Sequence, residues 1–412
     1  MIWIVHPTGN TFIRALLRAF LDSSRAFRFF TTFGLVQSSP WPAFLPPALR
    51  GEFERRCYQI PPVSLTTKPG LELARLLCIK LGWRAAVQHE KGPCCVDAVY
   101  RGLDRSVGRR LRSAREGSLP MAVYAYEDAA CDLFKAARER GVRRIYELPI
   151  AYWETSRRLL DEEALRLPDW EPTLLGTRDS PAKLQRKTEE LELAEGVVCP
   201  SQFVFNSLPE SVRGKKRCIV APFGSPAPGP NPRPRLEDPN RALRFLFAGS
   251  MTQRKGLADL FAAVKLLPGR NLELVVMGAP VAPISFYRAQ WPGFIYEPPR
   301  SQDKVLGLMS NCDVLVLPSI VEGRALVQQE ALSNGLPLIV TPNAGGEDLI
   351  DEGETGFLVP IRSPEAIAEK MAWFLDHRGD ISRMREAARR KAALCSWQDY
   401  GARILALIDS LS

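Results

Sequence analysis

Histidine is scarce in this 412-residue chain, and its cysteines are scattered. The three histidines (His6, His89 and His377) stand far apart, and the nine cysteines include no CxxC pair. Because structural zinc sites use clustered cysteine and histidine ligands, this composition argues against a zinc site. We expect reduced thiols, as in cytoplasmic proteins, and no bound metal.

Long apolar runs are also missing. No window approaches the roughly 18 uninterrupted apolar residues of a membrane-spanning helix. The N-terminal "MIWIVHPTGN" lacks the basic start, long apolar stretch and cleavage site of a signal peptide, so we interpret it as a first strand. The GxGxxG fingerprint of nicotinamide dehydrogenases does not follow that strand. We therefore expect no spanning helix, and we disfavour a dehydrogenase.

What the chain does contain is a strand–helix rhythm. "MAVYAY" precedes "DAACDLFKAARERG", and "CDVLVLPS" precedes "ALVQQEALSNG". This alternation predicts an α/β fold with buried parallel strands. The proline-rich segment 221–240 separates two halves of similar rhythm and indicates a linker. We predict a first domain over 1–220, a second over 241–385, and C-terminal helices over 386–412 that pack back toward the first domain.

Positive charge is concentrated in the first half. Residues 1–220 carry 34 Lys/Arg against 25 Asp/Glu, whereas the remainder carries 21 of each. The excess is densest in "RGLDRSVGRRLRSAREG" (101–117), which includes Arg105, Arg109, Arg110 and Arg112. Such a face suits anionic lipid or an anionic acceptor, although a solvated helix face explains it equally well. Nucleic acid is disfavoured because no stacking aromatics interleave with these arginines.

Two glutamates in "SIVEGRALVQQEALSNGLPLIV" are separated by seven residues. Glu322 follows a predicted strand, and Glu330 lies inside the next helix, which Gly335 ends. Ligands of doubly wound sheets bind beyond the carboxyl ends of strands. The pair is thus placed to bracket an extended polar ligand. The spacing alone also fits a glutamate on a helix dipole and a second one on the surface.

Two cations stand just before another predicted helix, in "FAGSMTQRKGLADLF". Arg254 and Lys255 precede a helix that starts near Gly256. Cations oppose the dipole at a helix N-terminus, so their position calls for another reason. A diphosphate would supply one, since Arg grips phosphate with its fork and Lys acts as a point charge. A solvated loop is the alternative.

Taken together, these motifs resemble the retaining glycosyltransferases of family 4 (glycosyl transferases group 1). The E-x7-E pair, "RKG", "VLPS", "EALSNGLPLIVT", "AGGEDLI" and "GETGFLVP" occur in the family's order, and the resemblance covers about residues 185–375. It implies the GT-B fold, in which two Rossmann-like domains face a central cleft. It also implies metal-independent transfer with retention of anomeric configuration, and no cofactor beyond the nucleotide-sugar donor.

The resemblance assigns roles to the matching positions. Glu330 would hold the donor's ribose, and Glu322 would stabilise positive charge at the anomeric carbon. Arg254 and Lys255 would hold the diphosphate. Backbone groups over 323–327 would meet sugar hydroxyls and phosphate. The implied donor-binding set also includes Gly9, Gly323, Arg324, Leu326, Val327, Ser250 and Arg300.

The first half matches the family less closely. "VHPTGNTFIRAL" resembles its glycine-containing loop, which would bring Asn10 and Thr11 near the acceptor. Many members carry a histidine in the stretch that reads "VYAYEDAACDLFKAARERGVRRIYELPIAYW" here, which has none. The candidate replacements are Tyr126, Glu127 and Glu147. Two other departures are Ser250, where many members have arginine, and Arg324, which would line the sugar pocket or contact a phosphate.

Three functions compete on this evidence. The first is a hexosyltransferase that uses a nucleotide-diphosphate sugar and a lipid-linked or polysaccharide acceptor, peripheral on the cytosolic face of a membrane. The second is another GT-B enzyme, such as a sugar-nucleotide epimerase, which needs no acceptor. The third is a non-catalytic scaffold that binds sugar nucleotides or glycans, because a fold does not prove its chemistry.

Overall fold

The computed structural model describes residues 1–37, 56–227 and 241–411. Its strands are β1 (Ile2–Val5), β2 (Phe27–Thr31), β3 (Leu35–Val36), β4 (Cys57–Tyr58), β5 (Leu65–Thr67), β6 (Ala122–Tyr126), β7 (Arg143–Glu147), β8 (Gly196–Cys199), β9 (Arg217–Val220), β10 (Leu243–Ala248), β11 (Leu272–Met277), β12 (Ile295–Glu297), β13 (Val314–Leu317), β14 (Leu338–Val340) and β15 (Gly356–Leu358).

Helices connect these strands. They are α1 (Thr11–Asp22), α2 (Gly70–Lys80), α3 (Val96–Arg112), α4 (Cys131–Glu139), α5 (Trp153–Arg166), α6 (Pro181–Leu193), α7 (Gln202–Ser207), α8 (Glu210–Arg213), α9 (Leu257–Lys265), α10 (Ile284–Gln290), α11 (Gln302–Met309), α12 (Leu326–Ser333), α13 (Pro364–Asp376), α14 (Ile381–Leu394) and α15 (Trp397–Ser410). Within the described ranges, each helix is too short or too polar to cross a bilayer.

Two parallel sheets form the cores of the two domains. The first has the order β5-β2-β1-β6-β7-β8-β9, and the second has the order β12-β11-β10-β13-β14-β15. Central strands such as β1 and β13 are buried along their whole length. Continuous apolar strands are what a parallel sheet requires when helices cover both faces. The predicted α/β architecture with two parallel-sheet domains is confirmed.

The predicted linker is only partly a linker. Its residues 228–240 lie outside the described residues, whereas Ala221 and Phe223 are buried. The Phe223 carbonyl accepts a hydrogen bond from Gln329 Nε2 at 2.8 Å, and the Pro226 carbonyl accepts one from Ser333 Oγ at 3.0 Å. The start of the segment therefore packs against α12 of the second domain.

One part of the first half of the chain packs into the second domain. After α5, a 3₁₀ turn over Pro168–Thr173 buries Trp170 in the core of the second domain. Its ring lies 5.0 Å from that of Phe286 and 5.7 Å from that of Tyr287. The predicted domain range 1–220 is corrected here, because an aromatic residue of this size is buried where it finds apolar partners, whatever its place in the sequence.

The C-terminal helices divide between the domains. Helix α14 packs against α12 in the second domain, whereas α15 packs against α1 in the first. The predicted start of the returning segment, residue 386, falls inside α14. The chain changes domain near Ser396 instead, since the apolar face of α14, with Met384 and Ala388, belongs to the second core and that of α15, with Ile404 and Ile408, to the first.

A buried carboxyl group joins α15 to the first sheet. Glu147, the last residue of β7, is 4% exposed, and its Oε1 accepts a hydrogen bond from Tyr400 of α15 at 3.2 Å. Its Oε2 is buried without a partner. Burial raises the pKa of Glu147 to about 8, although the nearby hydroxyl groups of Tyr124 and Tyr400 oppose this. The folded protein therefore keeps this group protonated near neutral pH.

This proton predicts a pH-dependent stability difference for Glu147→Gln. Because the pKa of Glu147 in the folded protein lies above its ordinary value of 4.5, the wild type loses stability as pH rises from 4.5 to about 8. The amide of the variant cannot ionise, so its free energy of unfolding should not fall over this pH range. Relative to the wild type, the variant should therefore become more stable by up to about 5 kcal/mol. Denaturant unfolding from pH 4 to 9 measures the difference. Equal slopes for both proteins would contradict the assignment, and the exposed Glu116→Gln is the matched control.

Candidate functional site

The candidate site begins with two loops that leave neighbouring strands of the second sheet. The loop after β10 carries Arg254 and Lys255 in a short 3₁₀ turn, and the loop after β13 carries Glu322. Gly256 has a φ of +73°, and a Cβ added there would lie 2.0 Å from the Pro318 carbonyl oxygen. Glycine is therefore what allows the two loops to approach this closely.

The two loops bring three predicted site residues into contact. Glu322 Oε2 lies 2.5 Å from Lys255 Nζ and 3.1 Å from Arg254 Nη1. Arg254 also donates to the Val321 carbonyl at 2.9 Å, and its own carbonyl accepts from Ile320 N–H at 2.9 Å. The arrangement is a carboxylate held between two cations at the carboxyl edge of the sheet.

The charges in this cluster support one another. Burial by itself raises the pKa of Glu322, but Lys255 and Arg254 outweigh it and hold that pKa at about 2. Burial lowers the pKa of Lys255, and Glu322 opposes that shift. Glu322 is therefore ionised at neutral pH, and it serves as counterion to two cations when no other anion is present.

The loop after β13 also touches the first domain. Ser201 Oγ donates to the Gly323 carbonyl at 2.6 Å. A Cβ added to Gly323 would lie 1.7 Å from the Pro149 carbonyl oxygen, so the two backbones are in contact. Pro149 and Ser201 follow β7 and β8. The candidate site thus lies where the carboxyl ends of both sheets meet.

Arg324 does not occupy the position predicted for it. Its guanidinium is buried and pairs with Asp348, at 2.6 and 3.0 Å, and Nη1 donates to the Gly345 carbonyl at 3.0 Å. A Cβ on Gly345 would lie 1.9 Å from the Gly323 carbonyl oxygen. Arg324 therefore ties the loop after β14 to the loop after β13. Its guanidinium is neutralised by Asp348 and does not line a sugar pocket.

Glu330 lies about one turn into α12 and is not part of the three-residue cluster. Its Oε1 accepts a hydrogen bond from Gln302 Nε2 of α11 at 3.2 Å, and burial raises its pKa. Arg300 lies two residues before Gln302 and pairs with Glu297. These residues form a second polar group, next to the cluster, between α11 and α12.

The first backbone N–H groups of α12 donate to no capping side chain among the described residues. Its N-cap residue, Ala325, has no side chain that accepts from the first turn, and Leu326 and Val327 are partly exposed there. Free N–H groups at a helix N-terminus favour an anion or a hydroxyl oxygen. Ser250 is partly exposed in the loop after β10, next to Gly249, against which the Lys255 side chain lies.

On the first domain, the loop after β1 carries the predicted Gly9, Asn10 and Thr11. A Cβ on Gly9 would lie 2.0 Å from the Tyr58 hydroxyl, so this glycine packs against a buried tyrosine. Asn10 caps α1 through Ile13 N–H at 3.1 Å, and Thr11 is exposed. Gly9 and Asn10 therefore have structural roles, in packing against Tyr58 and in capping α1, whether or not they contact a ligand.

The sequence analysis missed His6, which the structure places beside these residues. Its Nε2 lies 3.3 Å from Asn10 Nδ2, and its Nδ1 accepts a hydrogen bond from Thr8 N–H at 3.2 Å. The centroid of its ring lies 4.3 Å from that of Tyr126, with the two rings tilted by 52°. Burial lowers the pKa of His6 to about 3, so the imidazole is neutral. The signal was available in the sequence, because His6 directly follows the first strand.

The three candidate replacements for a cleft histidine differ in environment. Tyr126 is partly exposed beside His6. Glu127 is buried and lies 3.4 Å from Lys187; burial raises its pKa and Lys187 lowers it. Glu147 lies under Tyr400, as described above, so the structure contradicts an acceptor contact for it. Glu127 and Glu147 are thus buried within the first domain, and Tyr126 is the one of the three candidates whose side chain is partly exposed.

One group of potential metal ligands lies elsewhere in the described residues. His89, Glu90 and Asp179 bring three ligand atoms within 4.8 Å of one another. Glu90 accepts from Ser180 N–H at 2.9 Å, and Lys183 Nζ lies 3.0 Å from Asp179. The group thus ties a loop to the start of α6, and its carboxylates already have partners.

The second half of the chain is similar in sequence to known proteins. Residues 231–391 match the family described as glycosyl transferases group 1. A D-inositol 3-phosphate glycosyltransferase of Corynebacterium glutamicum (strain R) is 32% identical over 176 residues, which are 40% of this chain and 42% of that protein. The chain thus aligns with about two-fifths of that relative's length.

Solved structures match over both domains. Sucrose-phosphate synthase from Thermosynechococcus elongatus has a TM-score of 0.65 at 16% identity, covering 100% of this chain and 98% of that one. A trehalose-6-phosphate structure from E. coli bound with UDP-2-fluoro glucose has a TM-score of 0.61 at 13% identity, covering 99% and 98%. These likenesses confirm the predicted two-domain GT-B fold.

The close contact at Gly323 predicts that Gly323→Ala destabilises the domain interface. Its Cβ would overlap the Pro149 carbonyl, so the loop or the neighbouring domain must move. We expect the free energy of unfolding to fall by about 1–3 kcal/mol, measured by denaturant titration. Gly307→Ala, where an added Cβ meets nothing within 4 Å, is the matched control. Equal stability of the two variants would contradict the prediction.

Proposed function

We propose that this protein is a retaining hexosyltransferase, because residues 231–391 match the group 1 glycosyl transferases and the chain has the GT-B fold. It takes the hexosyl group from a nucleotide-diphosphate sugar and passes it to a lipid-linked or polysaccharide acceptor at the cytosolic face of a membrane. The observation that carries this proposal is the contact of Glu322 with Arg254 and Lys255 at the junction of the two sheets.

The two cations receive the donor's diphosphate. Each is largely buried, and each faces the Glu322 carboxylate. A diphosphate offers the same sign of charge with more acceptor atoms, and Arg binds it through a fork while Lys binds as a point charge. Donor binding shifts the cations toward phosphate and leaves Glu322 facing the sugar. The free N–H groups at Leu326 and Val327 meet the remaining oxygens.

Transfer then depends on charges that are in place beforehand. As the bond from the anomeric carbon to the phosphate oxygen breaks, negative charge grows on the phosphate and positive charge grows on the sugar ring. Arg254 and Lys255 neutralise the first, and the ionised Glu322 stabilises the second. The acceptor hydroxyl attacks the anomeric carbon from the side of the leaving group and gives its proton to the phosphate. Neither a metal nor a cofactor is needed in this scheme.

The nucleoside end of the donor lies toward α11 and α12. Glu330 holds the ribose hydroxyls, replacing the hydrogen bond it accepts from Gln302. Arg300 borders the same polar group. The UDP-2-fluoro glucose in the E. coli structure supports a UDP-sugar as the first donor to test. The D-inositol 3-phosphate glycosyltransferase supports a hydroxylated acceptor.

The first domain holds the acceptor. Asn10, Thr11 and Tyr126 lie at the carboxyl edge of the first sheet, opposite the donor loops. His6 orients Asn10 and packs under Tyr126, and it therefore acts through them. Positioning of this kind raises the rate by holding the attacking hydroxyl near the anomeric carbon.

Glu330→Ala should weaken nucleotide binding. Loss of two hydrogen bonds that the carboxylate accepts from the ribose hydroxyls corresponds to about 2–3 kcal/mol, or roughly a 30- to 150-fold rise in Kd. Calorimetry with UDP, GDP and their hexose conjugates measures it. The exposed Glu386→Ala, on α14 of the same domain, should bind as the wild type does. Unchanged affinity of Glu330→Ala would remove the ribose role.

Glu322→Gln should separate binding from turnover. The amide is isosteric but uncharged, so nucleotide affinity should hold or improve, whereas kcat should fall about 10²- to 10³-fold. Release of nucleoside diphosphate from the bound donor, with a panel of glycan and lipid acceptors, measures turnover. Glu273→Gln, which removes a carboxylate paired with Arg244 at the opposite edge of the sheet, is the control. Near-normal kcat in Glu322→Gln would refute its electrostatic role.

The same assay distinguishes the alternatives. Conversion of the donor sugar to its epimer without transfer would identify an epimerase. Tight nucleotide-sugar binding, with neither transfer nor epimerisation over the acceptor panel, would identify a binding scaffold.

A further inference from the structure

Helix α2 leaves several apolar side chains exposed and buries a glutamate. Its buried residues are Glu72 and Cys78. Glu72 pairs on the inner side with Arg56 at 3.0 Å and Arg75 at 2.7 Å. Leu73, Leu77 and Leu81, one helical turn apart, face outward with 42%, 55% and 51% of their surface exposed. Surface helices ordinarily direct the apolar stripe inward, so an outward stripe marks an interaction surface.

The apolar surface continues past the end of the helix. Trp83, in the following turn, is 60% exposed, and Ile79 is 51% exposed. Lys80 and Arg84 are exposed among them. Tryptophan and leucine beside lysine and arginine are the composition of helices that lie in the interface of a membrane.

A basic pocket adjoins this surface. Lys68, Arg105 and Arg109 line an open pocket of about 350 Å³ together with Leu71 of α2. Arg105 and Arg109 each donate Nε to a carbonyl one turn back on α3, and among the described residues neither has a carboxylate partner. Asp132 also lines the pocket. Burial, Arg109 and Arg105 together lower the pKa of Lys68, which reflects how closely the cations are placed.

Two other arginines of this stretch have partners. Arg112 pairs with Glu139 at 2.8 Å, and Arg110 lies over the Phe30 ring at 5.7 Å. Arg112 also lines the pocket beside α2. Among the described residues, Arg105 and Arg109 are the arginines of this pocket that have no carboxylate partner. Leu71 joins the two parts: it lines the pocket, and its Cδ1 would lie 2.8 Å from a Cβ placed on Gly102 of α3.

We propose that the face formed by α2, Trp83 and the pocket of Lys68, Arg105 and Arg109 docks on an anionic lipid bilayer. The outward leucines and Trp83 enter the interface, and the cations meet phosphate head groups. Lys68 directly follows β5, whose carboxyl end lies at the same edge of the first sheet as the loop after β1. The bilayer therefore lies beside the acceptor side of the cleft. Only this link to a lipid-borne acceptor rests on the proposed function.

Flotation with vesicles tests the docking surface without donor or acceptor. The full chain should float with an equal mixture of phosphatidylcholine and phosphatidylglycerol and remain behind with phosphatidylcholine alone. Leu77→Gln combined with Trp83→Gln should reduce the bound fraction by at least about tenfold. Arg105→Gln combined with Arg109→Gln should weaken binding roughly thirtyfold at low salt.

Matched variants control for loss of charge and apolar area. Arg213→Gln with Arg217→Gln removes two exposed arginines at the β9 edge, opposite β5, and Leu165→Gln removes an exposed leucine from α5. Both should bind vesicles as the wild type does. Nucleotide calorimetry on the docking variants should be unchanged, which separates this proposal from the proposed transfer.

Two outcomes would overturn the proposal. One is wild-type flotation of both docking variants. The other is a dimer in light scattering that Leu77→Gln with Trp83→Gln converts to a monomer, together with no vesicle binding by the wild type. The second result would assign this face to another copy of the chain.

Discussion

A carboxylate buried between two cations organises the cleft side of the second domain. Glu322 is stable there as an anion only because Lys255 and Arg254 lie within about one hydrogen-bond length of it. The cations in turn are tolerated in a largely buried position because Glu322 balances them. Each loop therefore depends on the other for its charge. A bound diphosphate would take over that balance and leave the carboxylate free to act on the sugar.

The two domains hold this cluster in place by exchanging segments. Thr173, which belongs to the first half of the chain, accepts a hydrogen bond at 3.1 Å from Gln253 N–H, one residue before Arg254. Gln253 Nε2 also donates to Glu163 of α5 at 2.9 Å. On the other side, α15 returns to the first domain and covers Glu147. Ser201 holds Gly323 between them. The candidate site thus has support from both domains around its loops.

Docking on a bilayer would give this two-domain arrangement an orientation. Helix α2, with its exposed leucines, lies at one edge of the first sheet, and the donor loops belong to the second sheet. A membrane on α2 would leave the donor side of the cleft open to water, where nucleotide sugars are dissolved, and would bring lipid-borne acceptors to the first domain. The proposed chemistry needs both substrates in one cleft, and this orientation would let them enter from different sides.

Local patterns were sufficient for the strands, helices and site loops. Runs such as "CDVLVLPS" and "MAVYAY" predicted buried strands, because apolar periodicity is a property of neighbouring residues. The order of strand, loop and helix also placed Glu322 and the Arg254–Lys255 pair at the carboxyl edge of a sheet. Arg324 was misplaced, since its partner Asp348 is 24 residues away and no local pattern links the two. Glu147 was misplaced for the same reason, because Tyr400, which covers it, lies 253 residues away.

The sequence by itself determined the α/β class, the two-domain organisation and the loops that carry the charged residues. Tertiary structure alone decided which charged side chains meet at the candidate site and which, like Arg324, form ion pairs elsewhere. It also decided that Trp170 belongs to the second core, that His6 lies under Tyr126, and that the leucines of α2 face outward. The physical reason is common to all of these. Periodicity shows that a helix or strand has two faces, but burial depends on what packs against each face, and those partners come from distant parts of the chain.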